Sequence, residues 1–354
     1  MQMRAHALLS ARTNGSFMVM PQNIWSESDL TRISIVIPTR NRSESLMRLL
    51  LSIFCQTRLP QEVIVVDDSE NDETSKLVRE NYNLFLSKGT LLKYLRGDEE
   101  NRSISAARNL GATKSTGDIV FFIDDDVILD NKYVEEILKT YEEHPMAKGV
   151  QGYVVSGGMT LSNFRSILLN SINKVFFMDH TEKNKCSLRM GLTYPYSPDK
   201  IIQCQWLHGT NFSLKKEVLQ RFRFDENLKK RSIGEDVDLS YRIYKRYPNS
   251  LFMNSRAKLI HISAPKAEAG KSIIYCGTAY FVYLFVKNYE QTIQNKVLFL
   301  WTLLGRLIVG CGLYLIVSRD VKSIFWSIKS YMCTLNHFND VKKGDFRFLD
   351  SIVQ

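Results

Sequence analysis

Asp118-Ile-Val-Phe-Phe-Ile-Asp-Asp-Asp126 is the stretch that decides the fold, because an apolar run leads directly into three consecutive carboxylates. The run predicts a buried strand with Asp124, Asp125 and Asp126 at its carboxyl end, the edge where open α/β sheets bind ligands. Adjacent carboxylates repel one another, and a divalent cation that prefers oxygen ligands, Mg²⁺ or Mn²⁺, would offset this repulsion. The alternative is an acidic turn in which Asp130 caps the next helix.

Apolar strands and amphipathic helices alternate on the amino-terminal side of this stretch. Strands are predicted at residues 33–38, 62–68, 91–95 and 119–123. Helices are predicted between them, at residues 43–56, 72–82 and 103–114. Strands separated by helices imply a parallel, doubly wound sheet with right-handed crossovers, so the predicted fold class is α/β.

Beyond Lys148 the pattern is mixed. It predicts strands at 150–155, 201–207, 210–214 and 259–262, with His208-Gly209 at the turn between the second and third. It also predicts a helix at 160–177, a long polar loop at 179–199 and a helix from Gly234 through Tyr247.

The composition narrows the class of partner. At 354 residues the chain has room for one large α/β domain and an appendage. A formal net charge of +10 suggests an anionic partner, and the candidates are nucleic acid, an acidic lipid surface, a phosphorylated substrate or no such partner at all. No basic run is interleaved with aromatics and no zinc-finger spacing occurs, so we expect no nucleic-acid partner.

The termini and cysteines indicate a cytosolic setting. The six cysteines are scattered without a CxxC pair, which is typical of reduced thiols. The N-terminus has no convincing signal peptide, and residues 1–30 are expected to be a loosely ordered lead-in. Near the other end, residues 297–317 are apolar apart from Arg306 and long enough to span a bilayer. Basic residues flank this segment on both sides, so peripheral attachment is favoured over a buried helical hairpin or a true span.

Five motifs follow one another between residues 33 and 262. They are Ile35-Val-Ile-Pro-Thr-Arg-Asn-Arg42, Val65-Val-Asp-Asp-Ser69, Ala106-Ala-Arg-Asn-Leu-Gly111, Phe122-Ile-Asp-Asp-Asp126 and Gly234-Glu-Asp-Val-Asp-Leu239. Their order resembles the family-two glycosyltransferases, whose fold is GT-A. The resemblance implies a GT-A domain at 31–265 and a helical, membrane-associating region at 266–354.

The resemblance also assigns residues to a sugar-nucleotide donor. It implies that Pro38, Thr39 and Asp67 hold the nucleoside, and that Arg108 lies near the nucleotide, where its planar fork suits phosphate oxygens. Asp124 is expected to meet the ribose, beside Asp125 in the same acid cluster. The alternatives are capping of the next helix by the acids after the second strand, and a salt bridge from Arg108 to Asp67 or Asp124.

The metal and the general base follow from the same resemblance. Asp126 is the expected ligand of Mn²⁺ or Mg²⁺, and His261 resembles the late histidine that completes the metal site in some GT-A enzymes; a structural histidine is the alternative. Glu235 and Asp236 open a helix whose dipole stabilises carboxylates, and the family usually places its base at the second of the pair. The base is therefore expected at Asp236. The alternative is that these acids only stabilise the first turn of the helix and have no catalytic role. Trp206 is expected either to stack on an acceptor sugar or to lie in the core.

The sequence thus predicts an inverting, metal-dependent glycosyltransferase. Its donor would be a nucleoside-diphosphate-sugar, UDP-linked by family frequency, and its acceptor a glycan or lipid-linked hydroxyl at the cytoplasmic face of the cell membrane. The Gln-x-x-Arg-Trp element of processive synthases is absent, which favours single addition. The rivals are a sugar-nucleotide-forming nucleotidyltransferase, although residues 39–43 lack the expected glycine, and a catalytically silent sugar-nucleotide-binding protein.

Overall fold

The computed structural model describes residues 31–155, 175–176, 200–230, 233–262, 270–313 and 319–353. The chain divides into two compact units, Met1–Thr31 and Arg32–Gln354. The lead-in at 1–30, the loop at 179–199 and all but two residues of the helix predicted at 160–177 lie outside the described residues. The cysteines in the described part of the chain are free thiols, as their spacing predicts.

A mixed sheet forms the centre of the second unit, and its described part has nine strands in the order β3-β2-β1-β4-β8-β6-β9-β5, with β7 paired to β9. The strands are β1 (Ile33–Thr39), β2 (Glu62–Asp67), β3 (Leu91–Arg96), β4 (Ile119–Ile123), β5 (Val127–Leu129), β6 (Gly149–Val154), β7 (Ile201–Cys204), β8 (Asn211–Lys215) and β9 (Leu251–His261).

Helices cover the sheet and form the C-terminal region. They are α1 (Ser43–Phe54), α2 (Glu73–Leu86), α3 (Ile104–Lys114), α4 (Tyr133–Glu143), α5 (Lys216–Leu219), α6 (Glu235–Arg246), α7 (Lys271–Asn288), α8 (Ile293–Leu313), α9 (Val321–Asn336), α10 (Phe338–Lys343) and α11 (Asp350–Val353), with a short 3₁₀ turn at Arg347–Leu349.

The first four strands are parallel, as the strand–helix alternation predicts. Thr39 at the end of β1 pairs in register with Asp67 at the end of β2, and Val36 of β1 pairs with Phe122 of β4. Parallel pairing brings the carboxyl ends of these strands to one edge, and the acid cluster after β4 therefore lies beside the end of β1. The α/β fold class is confirmed. The second half of the sheet is mixed because β8 runs antiparallel to both β4 and β6.

Two local predictions are wrong. The strands around His208-Gly209 do not form a hairpin, since β7 pairs with β9 whereas β8 pairs with β4 and β6. The chain between them is instead held by α6, where the Ser240 hydroxyl accepts from the Leu207 N–H at 3.0 Å. The last strand, predicted at 259–262, is the carboxyl end of the eleven-residue β9.

The core consists of one apolar layer on each face of the sheet. Ile35 and Ile37 of β1 point to the layer under α1, α2 and α4, and Val36 points to the layer under α3 and α6. The small residues of α3 let it approach closely, because a Cβ at Gly111 would lie 2.3 Å from a Val36 methyl carbon. This close packing fixes α3 against the strands that carry the site.

Candidate active site

The acid cluster at the end of β4 is tied to the end of β1. Thr39 Oγ1 donates to Asp125 Oδ2 at 2.7 Å. Arg42 Nη1 lies 3.1 Å from Asp125 Oδ1 and 2.9 Å from Asp126 Oδ2. The carboxylates that the sequence places at this edge are therefore held as a group, with one guanidinium shared between two of them.

Burial and neighbouring charges act differently on the three carboxylates of the cluster. Burial raises the pKa of Asp125 to about 6, although Thr39 and Arg42 act in the opposite direction. Burial also raises the pKa of Asp124, against the charge of Arg108. For Asp126, burial is outweighed by the hydrogen bond and charge of His261 and by Arg42, so its pKa lies below the usual range.

Asp126 and His261 are brought together, as the metal prediction requires. His261 ends β9 opposite Val127 of β5, so it directly faces the residue after Asp126. Its Nε2 lies 3.0 Å from Asp126 Oδ1, and this hydrogen bond raises the pKa of the imidazole. Among the described residues there is no group of three or more His, Cys, Asp or Glu side chains placed to hold a metal ion. The protein thus presents a carboxylate–imidazole pair beside the acid cluster.

Arg108 does not face the crevice, and that part of its predicted role is wrong in this structure. Its side chain is only 1% exposed. Nη2 donates to Asp124 Oδ1 at 2.8 Å and to the Gly209 carbonyl at 2.7 Å, while Nη1 donates to Glu235 Oε1 at 3.0 Å. The alternative, a salt bridge to Asp124, is what the structure shows. Arg108 therefore connects the acid cluster with the start of α6.

The acid pair at the start of α6 has two different environments. Gly234 precedes it with a φ of 86°, a left-handed conformation that glycine adopts without strain. Glu235 is buried, and burial together with the charge of Asp236 raises its pKa to about 7 despite Arg108. Asp236 is less buried, and its Oδ2 accepts from the Gly209 N–H at 2.8 Å. A Cβ at Gly209 would lie 3.2 Å from that oxygen, so glycine is what allows the approach.

His208 is a site residue that the sequence reasoning did not assign. Burial lowers the pKa of its imidazole, although the charges of Asp236 and Asp124 act to raise it. Its backbone N–H donates to Gln151 Oε1 at 2.6 Å. The sequence feature that could have identified His208 is its position next to Gly209, in the predicted turn. Trp206, by contrast, packs with Val237 in a small apolar cluster, so the core alternative is what the structure shows.

An open cleft of about 380 Å³ lies over this edge of the sheet. Pro38 and Thr39 line it as predicted, together with the three carboxylates of the acid cluster. Asp67 does not line it: its carboxylate is fully buried and accepts from the Ser69 N–H and the Tyr94 hydroxyl at 2.9 and 3.0 Å. Asp68 lines the cleft instead, with its pKa raised to about 6 by burial.

Basic side chains surround the same cleft, and the sequence reasoning missed them. They are Arg40, Arg42, Arg102, Lys229 and Lys230. Arg40 and Arg102 both contact Glu70, at 2.6 and 2.9 Å, which holds them on one side of the opening. The signal was available for two of them, since Arg40 and Arg42 follow directly after β1.

The family model for glycosyl transferase family 2 matches residues 34–220, more than half of the chain. The chain therefore belongs to this family, as the order of its motifs predicts. Residues 34–220 carry four of the five motifs and the whole acid cluster.

Curated relatives match over part of their length. The chain is 34% identical over 127 residues to a glucosyl-dolichyl phosphate glucuronosyltransferase of Haloferax volcanii, a region that covers 35% of this chain and 38% of that protein. It is 27% identical over 228 residues to a chondroitin synthase of Escherichia coli, covering 60% of this chain and 32% of the relative. Each match thus spans well under half of the relative.

Solved structures match over most of the chain. S. aureus TarS 1-349 in complex with UDP-GlcNAc superposes with a TM-score of 0.55 at 15% identity, covering 91% of this chain and 84% of that one. The mannosyltransferase PcManGT of Pyrobaculum calidifontis, in complex with GDP-Man and Mn²⁺, gives 0.52 at 16% identity, covering 86% and 87%. At such identities the likeness shows the fold, and the predicted GT-A architecture is confirmed.

Proposed function

We propose that this chain transfers a sugar from a nucleoside-diphosphate-sugar to an acceptor hydroxyl with inversion at the anomeric carbon. The observation that carries the proposal is the cleft, in which five basic side chains surround Asp68 and the three carboxylates of the acid cluster. Arginine and lysine suit the oxygens of a diphosphate, whereas the carboxylates suit a divalent cation and sugar hydroxyls.

The residues present fit a divalent cation. Asp126 Oδ1 and His261 Nε2 lie 3.0 Å apart, and the neighbouring Asp124 and Asp125 add two more carboxylates to the same cleft. Asp126 and His261 would hold the ion, Mn²⁺ or Mg²⁺. When bound, such an ion would neutralise charge on the departing diphosphate. In the proposed reaction Arg40, Arg102 and the two lysines bind and orient the phosphates.

Asp236 is the proposed general base. The Gly209 N–H donates to its Oδ2 and the Val237 N–H to its Oδ1, both at 2.8 Å, so backbone donors orient the carboxylate. Asp236 lies in the first turn of α6. In the proposed step the acceptor oxygen forms its bond to the anomeric carbon as the bond from that carbon to the diphosphate oxygen breaks. The hydroxyl proton passes to Asp236.

Arg108 is proposed as a positioning residue for this step. It is buried, and its two terminal nitrogens donate to Asp124, Glu235 and Gly209, so it fixes the loop that holds Asp236 relative to the acid cluster. The distance between the acid cluster and Asp236 is then fixed. Positioning of reacting groups contributes a large part of catalytic rate enhancement.

We also propose a UDP-sugar donor, a glycan or lipid-linked acceptor and a location at the cytoplasmic face of the cell membrane. Support for the donor class comes from relatives of the same fold, of which TarS was solved with UDP-GlcNAc and PcManGT with GDP-Man. These two proteins differ in base and sugar. The identity of the nucleotide is therefore the first quantity to measure.

The test is a donor panel of UDP-, GDP- and dTDP-sugars with Mn²⁺, scored by nucleotide release, on the wild type and Asp236→Asn. General-base catalysis contributes roughly 10²–10⁴-fold, so this variant should lose that factor in turnover while calorimetry shows near-normal donor binding. Glu44→Gln is the matched control, because Glu44 is also an acid in a first helical turn and lies away from the cleft.

Two results would contradict the proposal. Near-normal turnover by Asp236→Asn would remove Asp236 from the role of base. Donor binding by the wild type without nucleotide release or transfer would favour a silent sugar-nucleotide-binding protein instead.

A further inference from the structure

Helix α9 is amphipathic in the reverse sense to a helix of a water-soluble domain. Its buried residues are small and carry hydroxyl groups, Ser323, Ser327, Ser330 and Thr334, and the partly buried Trp326 and Cys333 pack beside them against the core of the C-terminal helices. Its outward side chains are large and apolar: Phe325, Ile328, Met332 and Leu335 are 54%, 46%, 59% and 65% exposed. A soluble amphipathic helix instead buries its large apolar residues and exposes its polar ones.

The buried hydroxyl face is a well-formed helix contact. Ser327, Ser330 and Thr334 each donate to a carbonyl one turn earlier in α9, at 2.7–2.8 Å. Ser330 Oγ also lies 2.9 Å from Thr278 Oγ1 of α7. Small hydroxyl residues that pack helices closely while large apolar ones face outward are typical of helices in lipid surroundings.

Helix α8 adds a second apolar stripe beside the first. Five of its large apolar side chains, at least 41% exposed, are Val297, Leu300, Trp301, Leu304 and Ile308. The helix is joined to α9 by the Tyr331 hydroxyl, which donates to the Leu303 carbonyl at 3.1 Å. We call the exposed apolar side chains of α8 and α9 the apolar face. Only 17% of α8 is buried, which does not fit a buried hairpin.

The charge around the apolar face favours an anionic partner. Between residues 291 and 336 the sequence has five basic residues and one acid, Asp320. Asp320 caps α9 by accepting from the Ser323 N–H. The Lys329 ammonium lies 4.3 Å from the ring centroid of Phe325, so a cation lies within the apolar stripe itself. A basic, apolar helix surface matches an anionic lipid headgroup region.

We propose that the apolar face docks on an anionic bilayer surface, with α8 and α9 lying in the interface. Of the described helices, α8 is the one long and apolar enough to cross a membrane. However, its inner side is fixed to α7, where Phe299 stacks on Phe285 at 3.8 Å and the Arg306 guanidinium lies 4.1 Å from the Phe281 centroid. Since α7 is packed into the catalytic unit, α8 is held along one side and cannot be surrounded by lipid. This proposal does not rest on the proposed reaction.

The test uses the full chain and vesicle flotation, with phosphatidylcholine vesicles with and without phosphatidylglycerol. The face variant combines Phe325→Ser, Met332→Ser and Leu335→Ser. Its matched control combines Leu51→Ser, Leu84→Ser and Leu86→Ser, which are 46%, 40% and 42% exposed on α1 and α2. Each of these side chains would bury apolar surface in the bilayer, so the face variant should bind at least ~10-fold more weakly while the control binds like the wild type.

Charge and fold are checked in the same series. Lys322→Gln with Lys329→Gln should remove most of the preference for vesicles that contain phosphatidylglycerol. The substituted side chains are exposed, so each variant should remain folded. Thermal melts check this. Equal binding by the face variant and its control overturns the proposal, as does a wild type that does not float with anionic vesicles. A dimer that the face variant dissociates, without vesicle binding, assigns the face to a second copy of the chain and also overturns it.

Discussion

Charged residues are usually exposed and large apolar residues usually buried, and two regions of this molecule break this rule in opposite ways. They are the sheet edge and the α8–α9 surface. The sheet edge buries charge, with Asp125 5% and Arg108 1% exposed, whereas the helix surface exposes hydrocarbon, with Leu335 65% exposed. Ion pairs and backbone donors stabilise the first arrangement, and small hydroxyl residues make the second possible. Both cost stability in water, and such departures mark where a protein meets something other than water. The two proposals above assign the sheet edge to an anionic donor and the helix surface to the hydrocarbon of a lipid surface.

The largest expected effect comes from breaking the buried charge network with Arg108→Met. This change leaves Asp124 and Glu235 buried without their shared cation, and removal of one partner of a buried pair costs about 3–5 kcal/mol. Urea denaturation followed by circular dichroism at pH 8, above the pKa of about 7 of Glu235, measures the loss. Nucleotide release should fall as well, because the loop that holds Asp236 is no longer fixed.

Arg32→Met is the control for that experiment. Arg32 pairs with Asp118 at 3.1 Å, but the two side chains are 57% and 51% exposed. A surface pair of this kind contributes less than about 1 kcal/mol. Equal losses for the two variants would show that burial does not distinguish the sheet edge from the ordinary surface.

Much of the fold could be predicted from sequence because its signals are local. The apolar runs of β1, β2 and β4 and the acids after them lie within one residue of their predicted bounds. Helix α4 was missed, although Val134, Ile137, Leu138 and Tyr141 form a buried face with helical spacing. The pairing of β7 and β8 could not be predicted, since their partners are far along the chain.

The site could be predicted as a set of residues but not as a network. Thr39, Asp126 and His261 lie where the motifs predict. The orientation of Arg108 depends on Glu235, which is 127 residues away, and no local pattern reports that pairing. The reversed amphipathicity of α9 has a signal in the sequence, where serines recur at helical spacing. The sequence does not say whether these serines are buried or exposed, and only the structure shows that they face the core.

The second prediction uses the pH dependence of Glu235. Its pKa in the folded protein is about 7, above the ordinary 4.5, so the folded state holds the proton more tightly than the unfolded state. Stability from this group is therefore fully present below about pH 4.5 and is lost as pH rises to about 7. Glu235→Gln cannot titrate, so over this window its free energy of unfolding should fall less than that of the wild type, by on the order of 2–3 kcal/mol. Parallel pH profiles from urea titrations would contradict the raised pKa.

The third prediction concerns the contact between α7 and α9. Ser330 is fully buried, so Ser330→Leu must push the helices apart and should cost roughly 1–3 kcal/mol. Ser330→Ala loses the hydroxyl contacts with Thr278 and with the Ser327 carbonyl and should cost about 1 kcal/mol or less. The same urea titrations compare the two variants. A leucine tolerated as well as alanine would mean that the helices are not closely packed, and the reversed amphipathicity of α9 would lose its structural reason.

The smallest expected effect is Phe325→Ser in the absence of membrane. Phe325 is 54% exposed, and among its contacts is the Lys329 ammonium at 4.3 Å, an exposed cation–π pair worth roughly 0.5–1 kcal/mol. Its removal should therefore change the free energy of unfolding in buffer by no more than about 1 kcal/mol. A loss above about 2 kcal/mol would place Phe325 in the core and remove it from the apolar face. In the membrane proposal, Phe325 serves a contact that the folded chain alone does not make, whereas Arg108 serves contacts within the chain.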